Sequence, residues 1–580
     1  MAQLIYKSNK EISEIFSHIG FFLDMEGVAF KPRAYQKAAE TIFDLSEEVF
    51  DIYRQGGLKS LEKIPGVGVS IAEKIEEFFK LGKVSFLEEL KKKWPIKIEE
   101  FINIEGLGSK TVRHLYENLN IKNLKDLERA IAQNKISKLE GFGEKSQEKI
   151  LKSIEFFKKS GGRAVLGFIM PEIRSLKEKL EKIKGVECVD VAGSVRRRKE
   201  TIGDIDILVI SKTPKQVMDF FISMPQVDSV LVSGKTKSSV RLKNGLDADL
   251  RVVPTESYGA ALNYFIGSKD HGIALREMAI KKGWKLNEYG LFKGETQIAG
   301  KTEEEIYEKL GLKYIEPELR EMHGEIQASQ KNKLPKLIGY KDLLGDLQIQ
   351  TNWSDGVNSI EEMARAAIQR GLKYIVITDH TKHLTVAHGL DEKRLKQQWK
   401  EIDLVNKKFE KEKIEFRVLK GTECDILKDG TMDLPDNILF QLDVVGASIH
   451  SSFNLSEEEQ TQRMIKAMNN KNVDIIFHPT GRIINQREAY KLDINKIIQT
   501  AKETGTVLEI NAFPNRLDFK DEYIKKCMEA GVRMSIDSDG HLASHFDYLE
   551  YGIAQARRGW AEKKNIINAW PAEKMLKMLK

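Results

Sequence analysis

The chain has 580 residues and a formal net charge of +6, enough length for several domains and a charge that permits nucleic-acid binding without demonstrating it. With 41% hydrophobic and 31% charged residues it reads as a soluble globular protein. No apolar run reaches the ~18 residues of a membrane span, the N-terminus lacks a signal-peptide core, and Cys188, Cys424 and Cys527 lie far apart, so a reducing cytoplasm is expected.

Residues 1 to about 88 read as amphipathic helices, with Ile12, Ile15, Phe16, Ile19, Phe22 and Leu23 at helical spacing. Next comes the unit Ile64-Pro65-Gly66-Val67-Gly68. Its pattern, apolar-x-Gly-apolar-Gly, returns at residues 104–108 and 139–143. Such glycines make a turn between two helices and let the N–H groups of the second helix face a phosphate, a contact independent of base sequence. One copy reads equally as a plain helical hairpin. Three copies resemble helix-hairpin-helix motifs, which implies DNA binding at Gly66, Gly68, Gly106, Gly108, Gly141 and Gly143.

Residues 157–163, Phe-Lys-Lys-Ser-Gly-Gly-Arg, look like a basic, flexible junction. Beyond it the pattern mixes a helix at 170–183 with a strand at 186–191. Then follow Gly193-Ser194, the basic run Arg196-Arg197-Arg198-Lys199, and Gly203-Asp204-Ile205-Asp206 entering an apolar strand. Side chains two apart on a strand share a face, so the two aspartates converge. Convergent carboxylates repel unless a cation lies between them. Gly193-Ser194 and the arginines suit phosphate oxygens. A second alternating strand, Asp247-Ala248-Asp249-Leu250-Arg251, can bring Asp249 beside the first pair. Three carboxylates can hold two Mg²⁺ ions and catalyse nucleotidyl transfer. The basic strand 235–242 reads as a sheet edge with solvated lysines.

These residues, with Tyr264-Phe265-Ile266-Gly267-Ser268, resemble the family X DNA polymerases. The resemblance implies that Asp204, Asp206 and Asp249 are catalytic and bind Mg²⁺ or Mn²⁺. It implies nucleotide binding by Gly193, Ser194, Arg197, Gly203, Tyr264, Phe265 and Gly267, and template contact by Arg276. Two positions depart from the family. Lys269 replaces an acid, and Gly272 replaces an asparagine that reaches the nascent base pair. Lys74 matches the Schiff-base lysine of a lyase domain, flanked by Lys31 and Lys37. Ser70 and Phe30 break that pattern, so a phosphate-contacting lysine remains the other reading.

From Leu343 onward the chain alternates strand and helix, with strands at 374–378, 442–446, 473–477, 507–510 and 532–536. Asp379-His380, Glu423, His450, His478 and Asp539-Gly540-His541 follow such strands, where barrels gather their active sites. Mixed imidazole and carboxylate ligands suit Zn²⁺, Mn²⁺ or Fe. The region resembles the PHP domain fused to bacterial family X polymerases, which adds Asp355 to the implied ligands and implies a 3′–5′ exonuclease. One departure is serious: Gln348 and Gln350 stand where the family has His-x-His. Two lost imidazoles weaken a metal position, so reduced or absent exonuclease activity is expected.

The expected fold class is multidomain α and α/β. A lyase-like helical domain occupies 1–88, a helix-hairpin-helix domain 89–160, a nucleotidyltransferase palm 161–255, a nucleotide-selecting subdomain 256–316, a linker with a helix 317–340, and a PHP-type α/β barrel 341–580. The expected function is template-directed DNA synthesis at gaps, with gapped or primed duplex DNA and deoxynucleoside triphosphates as partners. A cytoplasmic, nucleoid-associated monomer is expected, and Zn²⁺ or Mn²⁺ in the barrel. The alternatives are a PHP exonuclease or phosphoesterase whose front half delivers DNA, and a non-catalytic DNA-binding scaffold.

Overall fold

The computed structural model describes residues 4–43, 45, 47–102, 104, 106–159 and 163–579. Of the expected junction at 157–163, residues 157–159 end the helix Glu144–Lys159 and 160–162 lie outside the described residues. The chain forms two compact units, residues 1–161 with 483–488, and residues 162–482 with 489–580. Among the described residues, no helix is long and apolar enough to cross a membrane.

The first unit is helical. Ile12, Phe16, Ile19, Phe22 and Leu23 are buried on the inward face of the helix Asn9–Met25, as the spacing predicts. The three Gly-apolar-Gly turns share one geometry. In each, the first glycine, Gly66, Gly106 or Gly141, has φ between 79° and 87°, a conformation that side-chain-bearing residues rarely adopt. In each, the amide before the second glycine closes the turn: Val67 to Ile64, Leu107 to Ile104 and Phe142 to Leu139, at 3.0–3.1 Å. The helices Val69–Leu81, Ser109–Leu119 and Glu144–Lys159 follow directly. Gly68 and Gly108 serve as N-caps and offer no side-chain cap, so those helix-start amides remain available.

The second unit opens with a five-stranded sheet in the order Val186–Val191, Asp204–Ser211, Asp247–Val252, Lys237–Leu242, Val227–Ser233. Only the pairing of Asp204–Ser211 with Asp247–Val252 is parallel. The basic strand is therefore an interior strand, not the expected edge. The edge is Val227–Ser233, whose Val230, Leu231 and Val232 are exposed, so apolar patterning gave it no signature. Next come the helices Tyr258–Ile266 and Lys269–Lys281, a three-stranded antiparallel sheet and the helix Glu303–Leu310.

The stretch 317–340, expected as a linker, contains the helix Glu325–Gln330 but is packed into the unit. Glu318, Arg320, Glu325 and Ile338 are all buried. Arg320 donates to Glu303 and to the Ile315 carbonyl, and Glu325 meets His271 at 2.7 Å. Its charges are matched to partners that sequence alone does not identify, which is why it reads as a linker.

The remaining residues build seven parallel strands in sequential order, from Gly345–Ile349 to Met534–Asp537. A parallel bridge between Ile349 and Gly540 nearly closes the sheet into a barrel. All seven strands are buried almost throughout, as parallel strands covered on both faces must be. The strands Gly345–Ile349 and Arg417–Asp425 add to the five expected from sequence.

Candidate active site

The parallel register sets Asp206 opposite Asp249 and Asp204 opposite Asp247. Alternation turns all four carboxylates to one face of the sheet. Their ion pairs distinguish Asp247 from Asp249. Arg241 holds Asp247 through two guanidinium nitrogens, Nε and Nη2, while Asp249 stays beside Asp206 with Lys237 Nζ at 3.7 Å. Burial, together with Asp204 and Asp249, pushes the Asp206 carboxyl up to about 6. Such crowding of negative charge is relieved by a cation, so these residues fit divalent metal binding.

Gly193 begins a single helical turn, Gly193–Arg196, with φ of 59°. A side chain there would run into the Asp206 carboxylate. Glycine therefore brings the backbone against the acids. Ser194 Oγ is buried and has no hydrogen-bond partner among the described residues, a hydroxyl suited to a phosphate oxygen. Both line a cleft of about 420 Å³ with Arg197, Asp204, Asp206, Tyr264, Phe265, Gly267 and Arg276. Gly203 lies in the turn just before Asp204, where Arg163 Nη1 comes within 3.1 Å of the site of a side chain.

The basic run does not act as a block. Arg196 lies near Asp190 and Glu303, at 3.5 and 3.6 Å, and Arg198 over the Tyr340 ring with Glu550 at 4.0 Å. Lys199 pairs with Glu321 at 3.7 Å. Of the four, Arg197 lines the cleft. The expected aromatic pair is present: Tyr264 is T-shaped against Phe265 at 5.1 Å, Arg276 lies over Tyr264, and Arg251 over Phe265. In the first unit, the Lys74 amine donates to Ser70 Oγ and to the Ser70 carbonyl, at 3.0 and 3.2 Å.

A second cluster lies at the C-terminal ends of the barrel strands. Asp355, His380 and His541 offer ligand atoms within 4.8 Å of one another, and so do His380, Glu423 and His450. His478 Nε2 is 2.8 Å from Glu423 Oε1. Burial opposes charge on His450, but Asp425 and Glu423 override it and push its imidazole up to about 10. Asp539 is tied to Arg516 at 3.3 Å. Asp379, adjacent to His380, instead accepts from Thr351, Ser354 and Gln398, a supporting role.

The glutamines turn the centre of this cluster into an amide network. Gln350 Nε2 donates to Glu423 Oε2 at 2.6 Å. Asn511 Nδ2 donates to Gln348 Oε1 at 3.1 Å and to Asp539 Oδ2 at 3.2 Å. Gln348 Nε2 and Gln350 Oε1 are buried with no partner among the described residues. The set Gln348, Gln350, Glu423 and Asp539 therefore does not fit a transition metal, whereas the two outer sets do.

The DNA polymerase beta thumb family matches residues 261–321, and the PHP domain family matches 346–571. A helix-hairpin-helix domain family matches 7–84, and a SAM-like helix-hairpin-helix tandem 98–155. The chain is 39% identical over 568 residues to the DNA polymerase/3′-5′ exonuclease PolX of Bacillus subtilis (strain 168), covering 97% of each. It belongs to the family X DNA polymerases.

Two further relatives each match part of this polymerase. It is 36% identical over 222 residues to a probable phosphatase of Thermoanaerobacter sp. (strain X514), covering 36% of this chain and 84% of that one. DNA polymerase lambda of Rattus norvegicus is 26% identical over 347 residues, 54% of this chain and 56% of that one. Sequence reasoning about this family X polymerase missed Asp425, the partner of His450. A signal was there, since Asp425 lies two residues after Glu423 on one strand and so on the same face.

Proposed function

We propose that the chain is a template-directed DNA polymerase that adds deoxynucleotides to a 3′-OH at gaps in duplex DNA, in repair. The observation that carries this reading is Asp206 in register beside Asp249, with Asp204 on the same face, next to a cleft holding Gly193, Ser194 and Arg197. Asp204, Asp206 and Asp249 would hold two divalent cations, Mg²⁺ or Mn²⁺, which would supply activation of the attacking oxygen and stabilisation of the leaving pyrophosphate. Asp249 assists removal of the 3′-OH proton. The turn at Gly193–Ser194 and the Arg197 guanidinium bind the triphosphate. Tyr264 and Phe265 lie along the sugar, where Gly267 permits close approach. The glycine turns at 66–68, 106–108 and 141–143 bind the DNA backbone, and Arg276 the template. The protein works as a monomer in the cytoplasm, at the nucleoid. Single-nucleotide gap filling by wild type and Asp249→Ala tests the reading.

Gly272 leaves room where an asparagine would reach the new base pair: the nearest atom to a side chain there is Arg276 Nη1, at 3.5 Å. Gly272→Asn is expected to lower misinsertion by about fivefold, the worth of one added hydrogen bond of ~1 kcal/mol. Measured misinsertion frequencies check it, and an unchanged frequency removes the idea.

Lys74 acts by contacting phosphate rather than as a Schiff-base lysine, because its amine is engaged by Ser70. Borohydride treatment with an incised abasic duplex is expected to trap no adduct. An adduct lost in Lys74→Ala would establish lyase chemistry.

The exonuclease of the barrel is weakened or lost, because amides occupy the positions of two imidazoles. The outer sets, Asp355–His380–His541 and His380–Glu423–His450 with His478 beside Glu423, suit Zn²⁺ or Mn²⁺. Their convergence favours a second reading, in which two ions suffice and the barrel is an exonuclease or phosphoesterase supplied with DNA by the front half.

A further inference from the structure

Arg558 ends the helix Leu549–Arg558 of the barrel, yet its side chain reaches the polymerase cleft's supporting residues. It is 2% exposed. A guanidinium taken out of water must find partners for its donors. Nη2 donates to Asp521. Nη1 donates to the Arg197 carbonyl at 3.0 Å and to Glu321 Oε1 at 3.3 Å. The same oxygen of Glu321 accepts from Arg197 Nε at 3.0 Å. One carboxylate oxygen is thus shared by two guanidinium groups, one from the barrel and one lining the cleft.

The other end of Arg197 is tied as well. Its Nη1 donates to the carbonyl of Ile266, the last residue of the helix before Gly267. With Nε on Glu321 and Nη1 on Ile266, the plane of this guanidinium is set. A planar fork binds phosphate oxygens well only when its plane is right. Glu321 is therefore the support that aims Arg197; Arg558 holds the oxygen that Glu321 gives to Arg197, while Lys199 meets the other oxygen at 3.7 Å. The neighbouring Arg557 holds the same segment through Glu318 at 2.7 Å and Glu316 at 3.5 Å. A separate contact ties the barrel to the palm turn: Glu200 accepts from Arg482 at 2.9 Å and from Gln555 at 3.3 Å.

We propose that Arg558 is a positioning residue for nucleotide addition: through Glu321 and the Arg197 carbonyl it fixes the Arg197 guanidinium, which makes the barrel a working part of the nucleotide site. This rests on the reading that Arg197 binds the triphosphate. Neither Arg558 nor Glu321 touches the substrate. Their removal lets Arg197 turn, which weakens nucleotide binding more than it slows the chemical step.

The test is steady-state insertion of one nucleotide into gapped DNA by the full chain, with thermal melting of each variant to verify folding. Arg558→Met and Glu321→Gln are each expected to raise KM for the nucleotide about tenfold while kcat stays within about threefold. The double variant is expected to be little worse than Arg558→Met alone, because Arg558→Met already breaks the link through Glu321 along with the contact to the Arg197 carbonyl. Glu550→Gln cuts different barrel–palm ion pairs, to Arg174 and, at 4.0 Å, to Arg198, whose guanidinium does not line the cleft, and is expected to leave KM unchanged. A folded Arg558→Met with wild-type KM overturns the proposal, as does an equal rise in Glu550→Gln. Should Arg558→Met not fold, Glu321→Gln decides, and a wild-type KM there overturns it. Arg197→Ala separates the two levels. If it leaves KM unchanged, the nucleotide reading of Arg197 is wrong; if it raises KM and Arg558→Met does not, only the positioning role fails.

Discussion

Asp249→Ala is expected to lower single-nucleotide gap filling by about 10³-fold or more. The carboxylate lies beside Asp206 in strand register, where it completes a site that lends several kcal/mol of transition-state stabilisation, and ~4 kcal/mol corresponds to about 10³ in rate. Asp247→Ala is the informative control. It stands on the same strand and the same face, but Arg241 neutralises it in an exposed ion pair, and such pairs contribute little. Its removal is expected to change the rate by no more than about threefold. Primer extension with both variants measures the difference. Robust extension by Asp249→Ala would end the polymerase reading and leave the barrel as the candidate enzyme. Equal losses in both variants would instead mean that Asp247, not the register partner of Asp206 alone, belongs to the site.

The double substitution Gln348→His/Gln350→His is expected to raise Mn²⁺-dependent 3′–5′ degradation by about tenfold or more, the scale on which ligand-shell changes act. Here Gln350 covers one oxygen of Glu423 with an N–H, and Asn511 bridges Gln348 to Asp539. Two imidazoles replace an N–H donor and a weak amide oxygen with nitrogen lone pairs. Metal analysis should show one more tightly bound ion per chain in the double variant. The wild type is expected near background, with His478→Ala no lower. Vigorous wild-type degradation abolished by His478→Ala would instead establish that Asp355, His380, His541, Glu423, His450 and His478 suffice. The amides leave Gln348 Nε2 and Gln350 Oε1 buried without partners, at ~1–3 kcal/mol each. The double variant is therefore not expected to lose stability, which melting curves check.

Parts of this molecule are written in short-range pattern. The Gly-apolar-Gly turns could be found because residues with side chains rarely adopt the φ of Gly66, Gly106 and Gly141, and the barrel because five of its strands carry short apolar runs with His or acidic residues after them. The Gln-Ile-Gln substitution needed no coordinates to be noticed. Other features left little trace. The edge strand Val227–Ser233 turns its valines and leucine outward, and 317–340 hides its buried charges as an ordinary polar stretch. A basic run looks like one phosphate clamp until Arg196, Arg198 and Lys199 are seen meeting acids of the protein, with Glu321 shared between Lys199 and Arg197.

The sequence by itself determined the glycine turns, five of the barrel strands and the family resemblance, and it put forward the three aspartates and the Gln-Ile-Gln departure, because strand alternation, glycine turns and motif spacing act over a few residues. Only the tertiary structure decided that Asp249 rather than Asp247 stands beside Asp206 free of an arginine, that Gln350 covers Glu423, and that Arg558 reaches Arg197 across 361 positions of chain. Charge pairing and hydrogen bonding are decided by distance in space, and residues far apart in the chain acquire that distance only when the strands and helices between them have packed.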